Sequence, residues 1–307
     1  EYENAEGKTD HGRVRIIDFN PEKGKDKNEY LVVTQLWIRG LLRYRRPDVL
    51  IYINGLPLVF IELKNSNVTL RNAYNDNLMN YQVDIPLLFH YNALCLLSNA
   101  LDTRVGSFNA DWEYFFVWLR PDDETEKIDR HAIESKGISI ERALDGLFPP
   151  ERLLDYIENF IIFYNETEKI VAQNHQFIGV NKALKVFEER QYQKEDEKGK
   201  LGVFWHTQGS GKSFSMIFYV RKIWRKITGN FTFLVVTDRN DLDGQIYRNF
   251  LNTSTVKKQE AARPKDSEEL RGFLSQNKRI VFTLIHKFRY EKGRKYPILS
   301  RRDDIIV

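Results

Sequence analysis

Trp205-His206-Thr207-Gln208-Gly209-Ser210-Gly211-Lys212-Ser213 decides how the second half of the chain is read. It follows a short apolar run (residues 202–205) that predicts a strand, and it opens a segment of helical pattern. Glycines at 209 and 211 let the backbone turn sharply and aim amides at anionic oxygens. The start of the helix adds positive partial charge. Lys212 can then reach the β and γ phosphates of a nucleotide, and Ser213 can ligate its Mg²⁺. His206 stands where the strict G-x-x-x-x-G-K-[ST] pattern has a glycine. A Gly/Ser loop with a chance lysine is the plainer reading of the same residues.

Outward from this loop, further strands are predicted at 231–237, 279–284 and 304–307, with helices between them. Such alternation predicts a parallel sheet covered on both faces. Val235-Val236-Thr237-Asp238-Arg239 ends a strand in a polar turn, where ligands sit in sheets of this kind. Upstream, helices are expected at 140–147, 153–164 and 176–190, with Pro149-Pro150 as a break, and residues 121–139 are polar. The first 120 residues read instead as strands, at 14–19, 31–38, 49–53, 58–63, 94–98 and 114–119. One helix over 68–82 interrupts them, and Pro86 stops it.

A second constellation lies in that first part: Pro47-Asp48, thirteen further residues, then Glu62-Leu63-Lys64. Asn54-Gly55 between two apolar runs predicts a hairpin joining its halves. Two carboxylates at adjacent strand ends make a hard-oxygen site suited to Mg²⁺. Glu62 and Lys64, two apart on a strand, share a face, so Lys64 can stabilise charge on a scissile phosphate or orient water. Register tests this. A plain two-residue loop pairs Asp48 with Ile61 and turns the carboxylates to opposite faces. A three-residue loop or one bulge pairs Asp48 with Glu62, and that odd register is the expectation. The rival is a buried hairpin with polar ends and a surface ion pair.

Composition narrows the classes. The chain has 307 residues, 42% hydrophobic and 29% charged, which excludes a disordered or fibrous polymer. No apolar run approaches the roughly 18 residues of a membrane span. A lone cysteine, Cys95, excludes an internal disulfide and a cysteine zinc site, and the scattered histidines show no zinc set. The net charge of +4 matters less than where the basic residues fall. Arg39, Arg43, Arg45 and Arg46 precede Asp48 and suit DNA phosphates, or form a solvated face. Arg221, Lys222, Arg225 and Lys226 read as a solvated helix face, and the aromatics at 114–118 as core.

Residues 205–213, with Thr237-Asp238-Arg239-Asn240-Asp241-Leu242 and Thr283-Leu284-Ile285-His286-Lys287-Phe288, resemble the first motor domain of superfamily 2 helicases. More narrowly they resemble the restriction subunit of type I restriction-modification enzymes. Asn174-His175-Gln176 looks like that family's adenine-contacting segment, with Gln176 as base reader or as an ordinary polar residue at a helix start. Arg45-Arg46-Pro47-Asp48 and Gly55-Leu56-Pro57-Leu58-Val59-Phe60-Ile61-Glu62-Leu63-Lys64-Asn65 are similar to the nuclease domain of the same subunits. The likeness continues through Asp84-Ile85-Pro86 and Arg104-Val105-Gly106-Ser107.

The resemblance implies an α/β chain in three parts. These are a PD-(D/E)xK (RecB-like) endonuclease domain over 1–125, a helical linker over 126–165, and an incomplete first RecA-like ATP-binding motor domain over 166–307. It implies that Asp48, Glu62 and the Leu63 carbonyl hold Mg²⁺ and that Lys64 is catalytic. The family follows this site with a helix carrying Gln-x-x-x-Tyr, matched here by Asn77-Leu78-Met79-Asn80-Tyr81, so Asn77 and Tyr81 join the site. Gln208, Gly209, Ser210, Gly211, Lys212 and Ser213 hold ATP. Implied partners are double-stranded DNA and the methyltransferase and specificity subunits, in a bacterial cytoplasm and away from membrane. Asp303-Asp304-Ile305-Ile306-Val307 matches a strand that the family continues into Asp-Glu-Ala-His. The expectation is therefore a fragment that binds ATP and hydrolyses little. The rival functions are a non-catalytic ATP- and DNA-binding module and a small-molecule phosphotransferase.

Overall fold

In the computed structural model, which describes residues 2–3, 9–10, 15–22, 24–191, 199–288 and 298–307, the hairpin around Asn54-Gly55 organises the first part of the chain. Its strands, Val49–Ile53 and Leu56–Leu63, pair antiparallel. The turn takes positive φ at both Asn54 (51°) and Gly55 (80°), the conformation that suits a tight hairpin to strand twist. Near the turn Ile53 pairs with Leu56 and Tyr52 with Pro57. Beyond a bulge Ile51 pairs with Val59 and Val49 with Ile61. Leu58 is thus the extra residue. Continued by one step, this register sets Asp48 opposite Glu62.

The hairpin is the centre of a six-stranded mixed sheet. Its order is Phe116–Val117, Thr103–Gly106, Leu94–Ser98, Leu56–Leu63, Val49–Ile53, Tyr30–Thr34. Only Leu56–Leu63 and Leu94–Ser98 run parallel, and the connection between them is helical. That connection is Leu70–Asn72, a π-helical segment Ala73–Leu78, then Met79–Asp84. It buries Ala73, Tyr74, Leu78 and Tyr81 against Leu50, Phe60, Cys95 and Leu97 on one face of the sheet. A smaller hairpin, Ile38–Arg39 with Tyr44–Arg45, leads into Pro47 and Asp48.

The chain divides into two units. The first comprises residues 1–121 and 128–158, the second 122–127 and 159–307. In the first, helices Arg130–Lys136, Ser139–Leu147 and Pro150–Asn159 follow the sheet, and the Trp118 ring meets Tyr156 edge-on at 5.8 Å. The second holds a parallel sheet in the order Ala261–Ala262, Ile280–Leu284, Thr232–Thr237, Ile305–Ile306. Helices Lys212–Lys226, Asn240–Asn252 and Ser267–Ser275 lie between or before its strands. Among the described residues no helix is long and apolar enough to cross a membrane.

Several expected elements differ. The expected helix over 153–164 ends at Asn159. Ile161–Tyr164 instead forms a hairpin with Glu168–Val171, turned by Asn165 and Glu166 at positive φ. Ile161-Ile162-Phe163-Tyr164 is β-branched and aromatic, and this preference overrides an apolar spacing that also fits a helix. The segment 126–165 is therefore not wholly helical. The strand expected at 202–205 does not form: Val203 and Trp205 are 89% and 85% exposed, so pairing there brings no burial. No strand spans 15–19, and Val14 lies outside the described residues. The strand expected at 31–38 stops at Thr34, because Gln35 takes positive φ (55°). Within 114–119 only Phe116–Val117 pairs.

Candidate functional site

Two sites emerge, one in each unit. In the first, the bulged hairpin brings the expected acids together. Asp48 Oδ2 accepts from the Leu63 amide at 2.8 Å. The charge of Asp48 helps push the Glu62 carboxyl up, as does burial, which is the larger cause; Lys64 opposes both, and the result is about 7. Lys64 Nζ lies 3.1 Å from Glu62 Oε1, the shared face that a two-residue strand spacing requires. Glu62 is 2% exposed, and its Oε2 is buried without a hydrogen-bond partner. A buried carboxylate oxygen without a partner is costly, and a cation satisfies it. The described residues hold no cluster of three or more His, Cys, Asp or Glu. An ion here would therefore rest on the two carboxylates and backbone oxygen, a donor set that fits Mg²⁺.

The helix supplies two further groups. Asn77, inside the π-helical segment, donates from Nδ2 to Glu62 Oε1. Its short side chain still reaches the strand. Tyr81, one turn on, lies 3.4 Å from Asn77 Nδ2, and its hydroxyl donates to the Arg46 carbonyl at 3.4 Å. The Phe60 ring meets Tyr81 edge-on at 5.9 Å. Burial, then the Glu62 charge, pushes the Tyr81 phenol up.

Gln35 is a site residue that sequence reading missed. Its Nε2 donates to Asp48 Oδ1 at 2.8 Å, and its backbone amide to the Asp48 carbonyl at 2.9 Å. No spacing rule links a glutamine at a strand end to an acid in the neighbouring strand. The residues gave no local signal, since 31–38 reads as one strand and the break after Thr34 shows only in the fold.

The four arginines separate. Arg45 Nε donates to Asp84 Oδ2 at 2.6 Å, so it is held in an ion pair and is not free for phosphate. Arg46 lies over the Trp37 ring at 5.2 Å. Arg39 and Arg43 are exposed.

The second site is the loop before Lys212–Lys226. Gly209 and Gly211 take φ of 80° and 73°, which glycine adopts without strain. A Cβ on Gly211 would sit 2.8 Å from Gln176 Nε2. Lys212 Nζ turns back onto the carbonyls of His206 and Thr207, at 2.9 and 2.8 Å. Those bonds mark a loop able to exchange its own oxygens for a ligand's. Gln208 is exposed, and Ser210 and Ser213 are half-buried.

Gln176 comes to this loop, but its amide is engaged there. Nε2 donates to the Gly211 carbonyl at 3.0 Å and Oε1 accepts from the Gln173 amide at 2.8 Å. In this arrangement it braces the loop. His175 Nε2 lies 3.0 Å from the Ser210 carbonyl. His206, where a glycine was expected, packs edge-on against His175 and Phe204, and burial, then His175, lowers its pKa.

Comparison with known proteins follows this division. Residues 2–114 match the family model for the type I restriction enzyme R protein N terminus. Residues 175–307 match that of the SWI2/SNF2 ATPase. The chain is 39% identical over 308 residues to the type I restriction enzyme HindI endonuclease subunit of Haemophilus influenzae, covering 96% of this chain and 28% of that protein. It is 36% identical over 324 residues to the putative type I restriction enzyme MjaIXP endonuclease subunit of Methanocaldococcus jannaschii, covering 99% of this chain and 30% of that one. A Staphylococcus aureus relative, the type I restriction enzyme SauCOLORF180P endonuclease subunit, is 28% identical over 240 residues. The chain thus spans under a third of the length of these relatives.

Proposed function

The chain belongs to the family of type I restriction enzyme endonuclease subunits, and on that premise we propose that its first unit is a Mg²⁺-dependent DNA endonuclease of the PD-(D/E)xK kind. Its second unit is the first RecA-like lobe of an ATP-driven DNA translocase. The complete protein cuts double-stranded DNA in a complex with methyltransferase and specificity subunits, and the partner reads the sequence.

One observation carries the nuclease reading: the bulge at Leu58 turns Asp48 and Glu62 to one face, where Glu62 Oε2 is buried without a partner. Asp48, Glu62 and the Leu63 carbonyl would hold Mg²⁺, which supplies Lewis acidity at a phosphate oxygen. Lys64, beside Glu62 Oε1, stabilises negative charge developing on the phosphate. Asn77 and Gln35 hold the two carboxylates in orientation through Glu62 Oε1 and Asp48 Oδ1. Tyr81 supports Asn77 from the next helical turn.

In the second unit Lys212 exchanges the His206 and Thr207 carbonyls for the β and γ phosphates of ATP. Backbone amides of 208–211 and the start of Lys212–Lys226 hold the remaining oxygens, and Ser213 takes the nucleotide's Mg²⁺. Gln176 sets the loop through Gly211 and is the candidate adenine reader.

Paired variants test both halves, in the chain and in the complete subunit assembled with its partners. Lys64→Ala abolishes Mg²⁺-dependent DNA cleavage and leaves nucleotide binding intact. Lys212→Ala weakens ATP binding and leaves the metal site intact. A wild-type protein that binds ATP and DNA but cuts in neither setting is a non-catalytic module, and the nuclease reading then fails.

A further inference from the structure

The hairpin Ile38–Arg39/Tyr44–Arg45 has no part in the site just described, yet its construction is specific. Its base is fixed. Ile38 packs on the core of the first unit, and Arg45 is ion-paired to Asp84 at the end of helix Met79–Asp84. Gly40 lies against the same residue: a Cβ there would be 1.8 Å from the Asp84 carbonyl, so only glycine fits. The Gly40 amide closes the tip by donating to the Arg43 carbonyl at 2.8 Å. Asp84 therefore ties the hairpin to the helix that carries Asn77 and Tyr81.

The tip, by contrast, is bare. Leu41 and Leu42 are 98% and 94% exposed. A contiguous apolar projection on an anchored turn is uncommon without a function. On either side of the leucines stand Arg39 and Arg43, both exposed and without an ion pair among the described residues. Two free guanidiniums framing the leucines favour a polyanion over an apolar protein groove. Apolar side chains on an anchored element, flanked by arginines, are the parts with which proteins part stacked base pairs.

We propose that this hairpin is a DNA wedge: Leu41 and Leu42 enter between base pairs of the duplex while Arg39 and Arg43 hold the flanking phosphates. This rests on the reading of the first unit as acting on DNA. Its consequence is that the duplex is bent or opened beside the metal site, because Arg45 and Asp48 are close neighbours in the chain.

The test uses the whole chain in EDTA with a short duplex carrying 2-aminopurine in a central TA step, the kind most easily unstacked. Binding of the wild type raises 2-aminopurine fluorescence. Leu41→Ser/Leu42→Ser loses most of that rise while affinity changes by less than about threefold, since insertion buries apolar surface but costs unstacking. Arg39→Gln/Arg43→Gln lowers the slope of log affinity against log salt by about 2, one for each phosphate no longer neutralised. All four positions are exposed, so folding is unaffected, and circular dichroism checks this.

A duplex bound by the wild type with no fluorescence rise overturns the wedge, as does a rise kept by the double serine variant. So does a serine variant that keeps the rise but fails to assemble with the methyltransferase and specificity subunits, which makes the tip a protein-docking element. Cleavage in Mg²⁺ separates this from the nuclease reading. Cutting without unstacking sinks the wedge alone, and unstacking without cutting, in both the chain and the assembled subunit, sinks the nuclease alone.

Discussion

Glutamine in place of Glu62 is expected to stabilise the metal-free first unit at pH 8. Burial and the nearby Asp48 charge raise the Glu62 carboxyl from 4.5 to about 7 in the folded chain. Between those values the folded chain keeps a proton that the unfolded chain has lost. Stability is then full below 4.5 and falls as the pH rises through 7. Holding the proton from 4.5 up to about 7, at 1.36 kcal/mol for each tenfold in proton affinity, is worth about 3 kcal/mol. Glu62→Gln removes the titration and with it this loss.

Amide exchange in strand Leu94–Ser98, which is buried along its length, reads the opening of this unit alone. Measured in EDTA, the difference between pH 5 and pH 8 is taken for wild type and variant and then subtracted, so that other titrating groups cancel. The variant gains about 3 kcal/mol over wild type at pH 8, which is exchange slower by on the order of 100-fold. Adding Mg²⁺ protects the wild type and not the variant, since only the carboxylate gains from the ion. A double difference near zero, or one of opposite sign, would refute the reasoning, because Glu62 would then be ionised in the folded chain at no cost.

Three further outcomes are expected. Gln35→Leu removes the donor to Asp48 Oδ1 and lowers Mg²⁺ affinity about 10–100-fold, read by calorimetric titration, with no change in ATP binding. Inserting one alanine between Phe60 and Ile61 slips the end of the strand by one residue, so Glu62 faces away from Asp48; Mg²⁺ binding and cleavage are lost while the second unit still binds ATP. Lys212→Ala costs about 1.5–3 kcal/mol of ATP affinity, the range for hydrogen bonds to a charged group, measured with a fluorescent ATP analogue.

How much of this could be read from the residues differs by element. The Asn54-Gly55 turn and the two apolar runs marked the hairpin. The condition that Asp48 and Glu62 share a face demanded an odd register, and a bulge at Leu58 meets it while the two-residue turn is kept. The spacing of Gly209, Gly211 and Lys212 likewise marked a loop whose glycines take positive φ.

What was hidden depends on tertiary partners. Gln35 joins Asp48 only because Thr34 pairs with Val49. The π-helical segment that carries Asn77 has the same residue pattern as an ordinary helix. Arg45 reads as a free basic residue until Asp84 is brought beside it. Ile161–Tyr164 fits both a helical and a strand pattern, and its partner strand decides. The position of Gln176 marked it as a candidate base reader, but its bonds to Gly211 and Gln173 depend on the loop being brought beside it.

The most direct measurement is anomalous diffraction from crystals of the chain soaked in Mn²⁺, with Glu62→Gln as the control. The account predicts a manganese peak bounded by Asp48, Glu62 and the Leu63 carbonyl, and its loss in the variant. A peak elsewhere, or none between Asp48 and Glu62 at a saturating concentration, would contradict it.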